Sequence, residues 1–99
     1  MLNINKTVEN GRAIIAPDGR IDTVTSPELE KEIKSIISGL SELLFDFEKV
    51  QYISSAGLRV LLSAQKVMNT QGKMKLINVN ESIMEILEVT GFTEILTIE

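Results

Sequence analysis

Apolar and polar residues alternate where the chain begins. Leu2, Ile4 and Val8 fall on one side and Asn3, Asn5 and Thr7 on the other, with Lys6 interrupting the apolar side. Asn10-Gly11 follows, then Arg12-Ala13-Ile14-Ile15-Ala16. Asn-Gly between two strand-like runs is a strong hairpin signal, because a type I′ turn needs positive φ at both central residues. The pattern predicts an antiparallel hairpin over residues 2–9 and 12–17. Pro17-Asp18-Gly19 then ends the second strand or places a bulge in it.

The period then changes. Leu29, Ile33, Ile36, Ile37 and Leu40 lie at helical spacing on one face. Thr25-Ser26-Pro27-Glu28 predicts the start of that helix, with Thr25 as cap, Glu28 reaching back, and Pro27 in the first turn. Leu43-Leu44-Phe45-Asp46-Phe47 reads as a short buried strand, and Glu48 to Ser54 as a loop. A second helix is expected from Ser55 to Thr70, stopped at Gln71-Gly72 by a glycine suited to a left-handed cap. Lys73 to Val79 reads as a strand with Met74 and Leu76 on one side and Lys73 and Lys75 on the other. Asn80 or Ser82 opens a third helix through Ile83, Ile86 and Leu87, which Gly91 ends, and residues 95–98 offer a further short strand.

The predicted order is β-β-α-β-α-β-α. Strands alternating with helices imply parallel pairing through right-handed crossovers. The lysine side of residues 73–79 and the asparagine side of residues 2–8 imply that helices do not cover one sheet face. The fold class is therefore α/β: a small mixed sheet, an N-terminal antiparallel hairpin followed by βαβαβα units, with helices packed mainly on one face. Residues 1–99 read as one domain.

Composition narrows the chemistry. There is no cysteine and no histidine. Disulfides, thiolate ligands, Ser-His triads and most zinc sites are thereby excluded. No dinucleotide fingerprint or P-loop is present, so no cofactor is expected. A net charge of −4 argues against nucleic acid, whose phosphates supply most of that affinity. No apolar run approaches a membrane span and no signal-peptide pattern opens the chain, so the expected location is the cytoplasm.

The remaining chemistry gathers in Tyr52-Ile53-Ser54-Ser55-Ala56-Gly57-Leu58-Arg59. Two hydroxyls stand at a predicted helix start, where backbone N–H groups lack internal partners. Ser55 at the cap would accept one of them, and Ala56-Gly57 would leave the surface above them bare. With no histidine, and Lys66 about three turns along the helix, nothing can activate Ser55 as a nucleophile. It reads either as a plain cap or as a modification site, and the protein as a binding module, not an enzyme. Along this helix Arg59, Ser63, Lys66 and Thr70 form a narrow polar stripe. The wide apolar remainder either packs on a neighbouring helix or presents a patch to a partner. Arg59 stands one turn beyond Ser55. Asp22 lies between the hairpin and the first helix, and Asp46, near the end of the third strand, is expected close to the edge that carries Ser55.

These residues carry a resemblance. The hairpin, Gly19-Arg20-Ile21-Asp22, Leu44-Phe45-Asp46-Phe47 and Tyr52 to Leu58, in that order, resemble the anti-sigma factor antagonists, single-domain members of the STAS family. The resemblance implies that the serine two residues before the motif glycine is phosphorylated by an anti-sigma factor that is itself a serine kinase. That position is Ser55, counted from Gly57, with Ser54 as the alternative. It implies that the unphosphorylated form binds the anti-sigma factor and frees the sigma factor, and that a serine phosphatase resets the switch. The positions matching the family's acidic residues near the serine are Asp22 and Asp46, and the expected partner-binding set is Asp22, Asp46, Ser54, Ala56, Gly57, Leu58 and, by its place on the helix, Arg59. This chain lacks the acidic residue that well-known members place before the serine pair. The same fold also serves as an accessory subunit of membrane lipid transporters and as a small-ligand or nucleotide-binding module.

Overall fold

A computed structural model describes residues 2–99. The elements are β1 (Asn3–Glu9), β2 (Arg12–Ile21), α1 (Ser26–Ile36), β3 (Glu42–Asp46), β4 (Lys49–Ile53), α2 (Ser55–Asn69), β5 (Lys73–Ile77) and α3 (Glu81–Val89), followed by a 3-10 turn at Phe92–Glu94. The Asn10-Gly11 hairpin forms as expected, with φ of 52° and 77°. β1 pairs antiparallel with β2 in continuous register.

β2 organises the sheet, because it is long enough to serve two neighbours on one side. Arg12–Ile15 pairs parallel with β3, and Asp18–Ile21 pairs parallel with β4. β5 lies parallel to β3 on its outer side. Pro17-Asp18-Gly19 does not end β2; the strand runs through it to Ile21, with a register shift after Gly19.

β4 falls where a loop was expected, and the reason is in its register. Gly19 faces Val50 and Arg20 faces Tyr52, so Gln51 is an extra residue. Such a bulge breaks the two-residue alternation by which a strand is read. The buried residues of β4, Val50 and Ile53, are consequently three positions apart.

Helices cover one face. Ala13, Ile15, Leu43, Phe45, Met74 and Leu76 point into the core, while Ile14 on the other face is 44 % exposed. Lys6 lies on the covered side yet stays polar because its Nζ reaches Glu32 Oε1 of α1 at 2.8 Å. The apolar surplus of α2 packs on α1, where Val60, Ala64 and Val67 line a narrow groove with Ile33 and Ile37.

Three local expectations are corrected. Thr25 does not cap α1 through its side chain; its hydroxyl turns back to the Arg20 carbonyl at 2.8 Å. Gly72 does not take a left-handed conformation; glycine is needed because a Cβ would run into the Ser41 backbone. Residues 95–98 form no full strand but one parallel bridge, Leu76 to Ile98. Asn80 is the residue that opens α3, its side chain accepting from Ile83 N at 2.9 Å.

Candidate partner-binding site

β2 and β4 end side by side, and the chain leaves each of them at the same corner. Ser54 N donates to Ile21 O at 2.8 Å, pinning the serine loop to the end of β2. Ser54 is extended (φ −95°, ψ 175°), and its Oγ accepts from Gly57 N at 3.4 Å. Its carbonyl accepts from Leu58 N at 2.9 Å. Ser54 is therefore the cap of α2, and the expected cap, Ser55, is the first helical residue. Both hydroxyls suit a cap equally well, so sequence did not separate them. The consequence is a division of roles: the Ser54 hydroxyl is engaged and half-buried, while Ser55 is exposed.

Gly57 and Leu58 face inward. A Cβ on Gly57 would stand 2.6 Å from Ile21 Cγ2 and 2.7 Å from Ile53 Cγ1. Glycine here lets the first turn of α2 settle closely on the ends of β2 and β4. Leu58 is 4 % exposed and belongs to the core. Ala56 is half-buried.

The turn after β2 is built on Asp22. Its Oδ1 accepts from Val24 N and Thr25 N, both at 3.0 Å. Asp22 N in turn donates to Thr25 Oγ1 at 2.9 Å. The Thr25 backbone N–H is the main cause that holds the Asp22 carboxyl below its ordinary pKa. Partial burial opposes it, and the Thr25 hydroxyl, Val24 N–H and Arg20 charge assist.

Arg20 and Tyr52 were not singled out from sequence as site residues. They face each other across β2 and β4, and the guanidinium carbon of Arg20 lies 4.5 Å from the Tyr52 ring centroid. Arg20 Nε stands 4.0 Å from Asp22 Oδ2. Only the register of β4 brings these side chains together, and that register was hidden by the bulge. Among the described residues no cluster of acidic side chains could hold a metal ion.

The STAS domain model matches residues 3–99. The chain belongs to the STAS family. Among sequence relatives, BtrV of Bordetella bronchiseptica, which carries the name of an anti-sigma factor antagonist, is 32% identical over 88 residues, covering 87% of this chain and 76% of its own length. An anti-sigma factor antagonist from Mycobacterium paratuberculosis superposes with a TM-score of 0.90 at 19% identity, over 99% of this chain and 85% of the other. The Bacillus cell fate determinant SpoIIAA in its phosphorylated form gives a TM-score of 0.74 at 15% identity, over 100% of this chain and 91% of the other.

Within this STAS domain the two expected aspartates separate. Asp46 ends β3, next in register to Ala16, whereas Ser54 follows Ile53, which pairs with Ile21. Ala16 and Ile21 are five residue steps apart along β2, roughly 16 Å at strand rise. The structure does not bring Asp46 to the serine loop. Its Oδ1 accepts from Glu48 N and from Asn78 Nδ2, both at 3.0 Å, which ties the β3–β4 turn to the end of β5. Arg59 is exposed on α2, one turn beyond Ser55.

The start of α2 in this STAS domain suits added negative charge. Its first turn carries no acidic residue. The first N–H groups of a helix lack internal acceptors, and Gly57 N is the one answered by Ser54 Oγ. An anion there gains roughly 0.3–1 kcal/mol from the helix dipole. No described helix is long and apolar enough to cross a membrane.

Proposed function

We propose that this protein is an anti-sigma factor antagonist switched by phosphorylation of Ser55. The observation that carries the reading is the split between the two serines. Ser54 holds the helix, and Ser55 is left exposed at a helix start with no acidic residue in its first turn. The anti-sigma antagonist name of BtrV and the phosphorylated form of SpoIIAA support it.

In this reading the unphosphorylated protein works in the cytoplasm and binds an anti-sigma factor that is a serine kinase. Binding frees the sigma factor for transcription. The kinase brings ATP; Ser55 Oγ attacks the γ-phosphorus, the new O–P bond forms, and the bond to the bridging oxygen of ADP breaks. The hydroxyl proton passes to a base of the kinase, since this chain has no histidine or cysteine to take it. A phosphoserine carries about −1.5 to −2 charge. The fold accommodates it at the helix start, but the complex does not, because a desolvated phosphate facing the partner costs several kcal/mol and each 1.4 kcal/mol is tenfold in affinity. A serine phosphatase restores the hydroxyl. Asp22 shapes this corner, Ala56 and Arg59 contribute its rim, and Gly57 and Leu58 act through the packing of α2. Asp46 supports the sheet away from the contact.

The test is capture from native lysate with wild type and Ser55→Asp as baits, and mass spectrometry of what is retained. The expected result is a small serine kinase held by wild type and lost with Ser55→Asp. Retention of the same transporter ATPase by both baits, or of no kinase by either, contradicts the proposal.

A further inference from the structure

Val24 is the most exposed large apolar side chain among the described residues, at 85 %. Its backbone is nevertheless held firmly. Asp22 Oδ1 accepts from the N–H groups of Val24 and Thr25. Thr25 Oγ1 donates to Arg20 O at 2.8 Å and accepts from Asp22 N at 2.9 Å. Ser26, which is buried, donates both its N–H and its hydroxyl to Asp22 O. The polar side chains of Asp22, Thr25 and Ser26 are thus all engaged in fixing one short turn, and what that turn displays is Thr23 and the bare Val24.

Its position gives the display a purpose. The turn starts one residue beyond Ile21, whose carbonyl accepts from Ser54 N at 2.8 Å. Val24 and Ser55 therefore leave the same corner of the sheet on two rigid stems joined by that hydrogen bond. A partner seated on Ser55 and covering this corner would meet Val24 as well. An apolar side chain already fixed in a protruding conformation loses little freedom when it is covered, which is the property of an anchor residue.

We propose that Val24 is a preformed apolar anchor for the same partner that reads Ser55, seated in an apolar socket beside that partner's phosphoryl-transfer cleft. The inference rests on the function proposed above and adds a constant contact to the switchable one. Phosphorylation changes the serine and leaves the valine as it was. Val24 accordingly contributes equally to the ground state and the transition state of phosphoryl transfer, and its loss raises KM without changing kcat.

The test uses the full chain and the serine kinase that wild type retains from lysate, purified. Wild type, Val24→Ala, Val24→Asp, Ser55→Asp and Val89→Asp are titrated calorimetrically against it. Val89, on α3, is 82 % exposed and serves as the control for an added charge on exposed valine. Val24→Ala is expected to weaken binding about tenfold, from the loss of its two methyl groups. Val24→Asp is expected to weaken it about 100-fold or more, and Val89→Asp to leave it unchanged. All variants keep the wild-type thermal midpoint, and phosphorylation of Val24→Ala shows a raised KM at unchanged kcat. Wild-type binding by Val24→Asp, with Ser55→Asp still defective, would overturn the anchor and leave the switch standing. Equal losses from Val24→Asp and Val89→Asp would overturn it too. Wild-type binding by Ser55→Asp, or retention of no kinase, would overturn the switch and the anchor together.

Discussion

Asp22 and Asp46 build the same local device in two places. Each carboxylate accepts, at 3.0 Å, from the backbone N–H two residues further on, Val24 in one case and Glu48 in the other. Each stands at or just beyond the end of a strand in the same sheet. What separates them is the sharing of β2. β3 pairs with its first half and β4 with its second, so Asp46 comes out beside Ala16 while Asp22 comes out beside Ser54. One carboxylate ties a turn to Asn78, and the other holds the turn that leaves β2 beside the serine loop. A site here is made by the stagger of two strands along a third, and not by the residue type or its hydrogen bonds.

The largest effect is expected at the serine itself. Ser55→Asp is expected to lose the kinase about 100-fold or more in affinity, measured by calorimetry, with the thermal midpoint preserved because the helix start accepts negative charge. Asp46→Ala, by contrast, is expected to bind within about threefold of wild type, since its level of the sheet does not reach the contact. Next comes Gly57→Ala. Its Cβ would press on Ile21 and Ile53, and overpacking of this kind costs about 1–3 kcal/mol, read by urea denaturation. Binding should fall with it, because α2 can no longer settle on the sheet. Asp22→Ala releases the turn that carries Val24. It is expected to weaken kinase binding about tenfold at wild-type circular dichroism, as a rigid anchor becomes a mobile one.

The smallest effect concerns pH. Hydrogen bonds from the Thr25 backbone N–H and its neighbours hold the folded Asp22 carboxyl below the ordinary aspartate pKa. A carboxyl whose folded pKa lies below its unfolded one contributes stability that is fully present above the unfolded value. That contribution is lost as pH falls through the folded value. The stability difference between wild type and Asp22→Asn should therefore be constant above about pH 5 and shrink as pH falls below about 4. A difference that does not change across that window contradicts the hydrogen-bonded ionised turn.

The sequence was informative where local rules act alone. Asn10-Gly11 specified its hairpin, because positive φ at two successive residues leaves few choices. The faces of α1, α2 and α3 followed from apolar spacing, and the lysines at 73 and 75 marked the side of the sheet that the helices leave open. Longer-range placement was hidden. The bulge at Gln51 concealed β4, and with it the Arg20–Tyr52 stack and the distance between Asp46 and the serine loop. Gly57 and Gly72 were read as a contact surface and a helix stop. Their true constraints are Ile21 with Ile53, and the Ser41 backbone, all distant in sequence. Which of two adjacent serines caps α2 turned on one residue of helix phase, settled by the pinning of Ser54 N to Ile21 O.

Ser54 caps α2, and Ser55 is the proposed phosphate acceptor. The most direct measurement is fragment mass spectrometry of the protein after incubation with the captured kinase and ATP, run beside Ser54→Ala and Ser55→Ala. The account predicts a single phosphate on Ser55 in wild type and in Ser54→Ala, with none in Ser55→Ala. Phosphate on Ser54, or undiminished phosphorylation of Ser55→Ala, would contradict it.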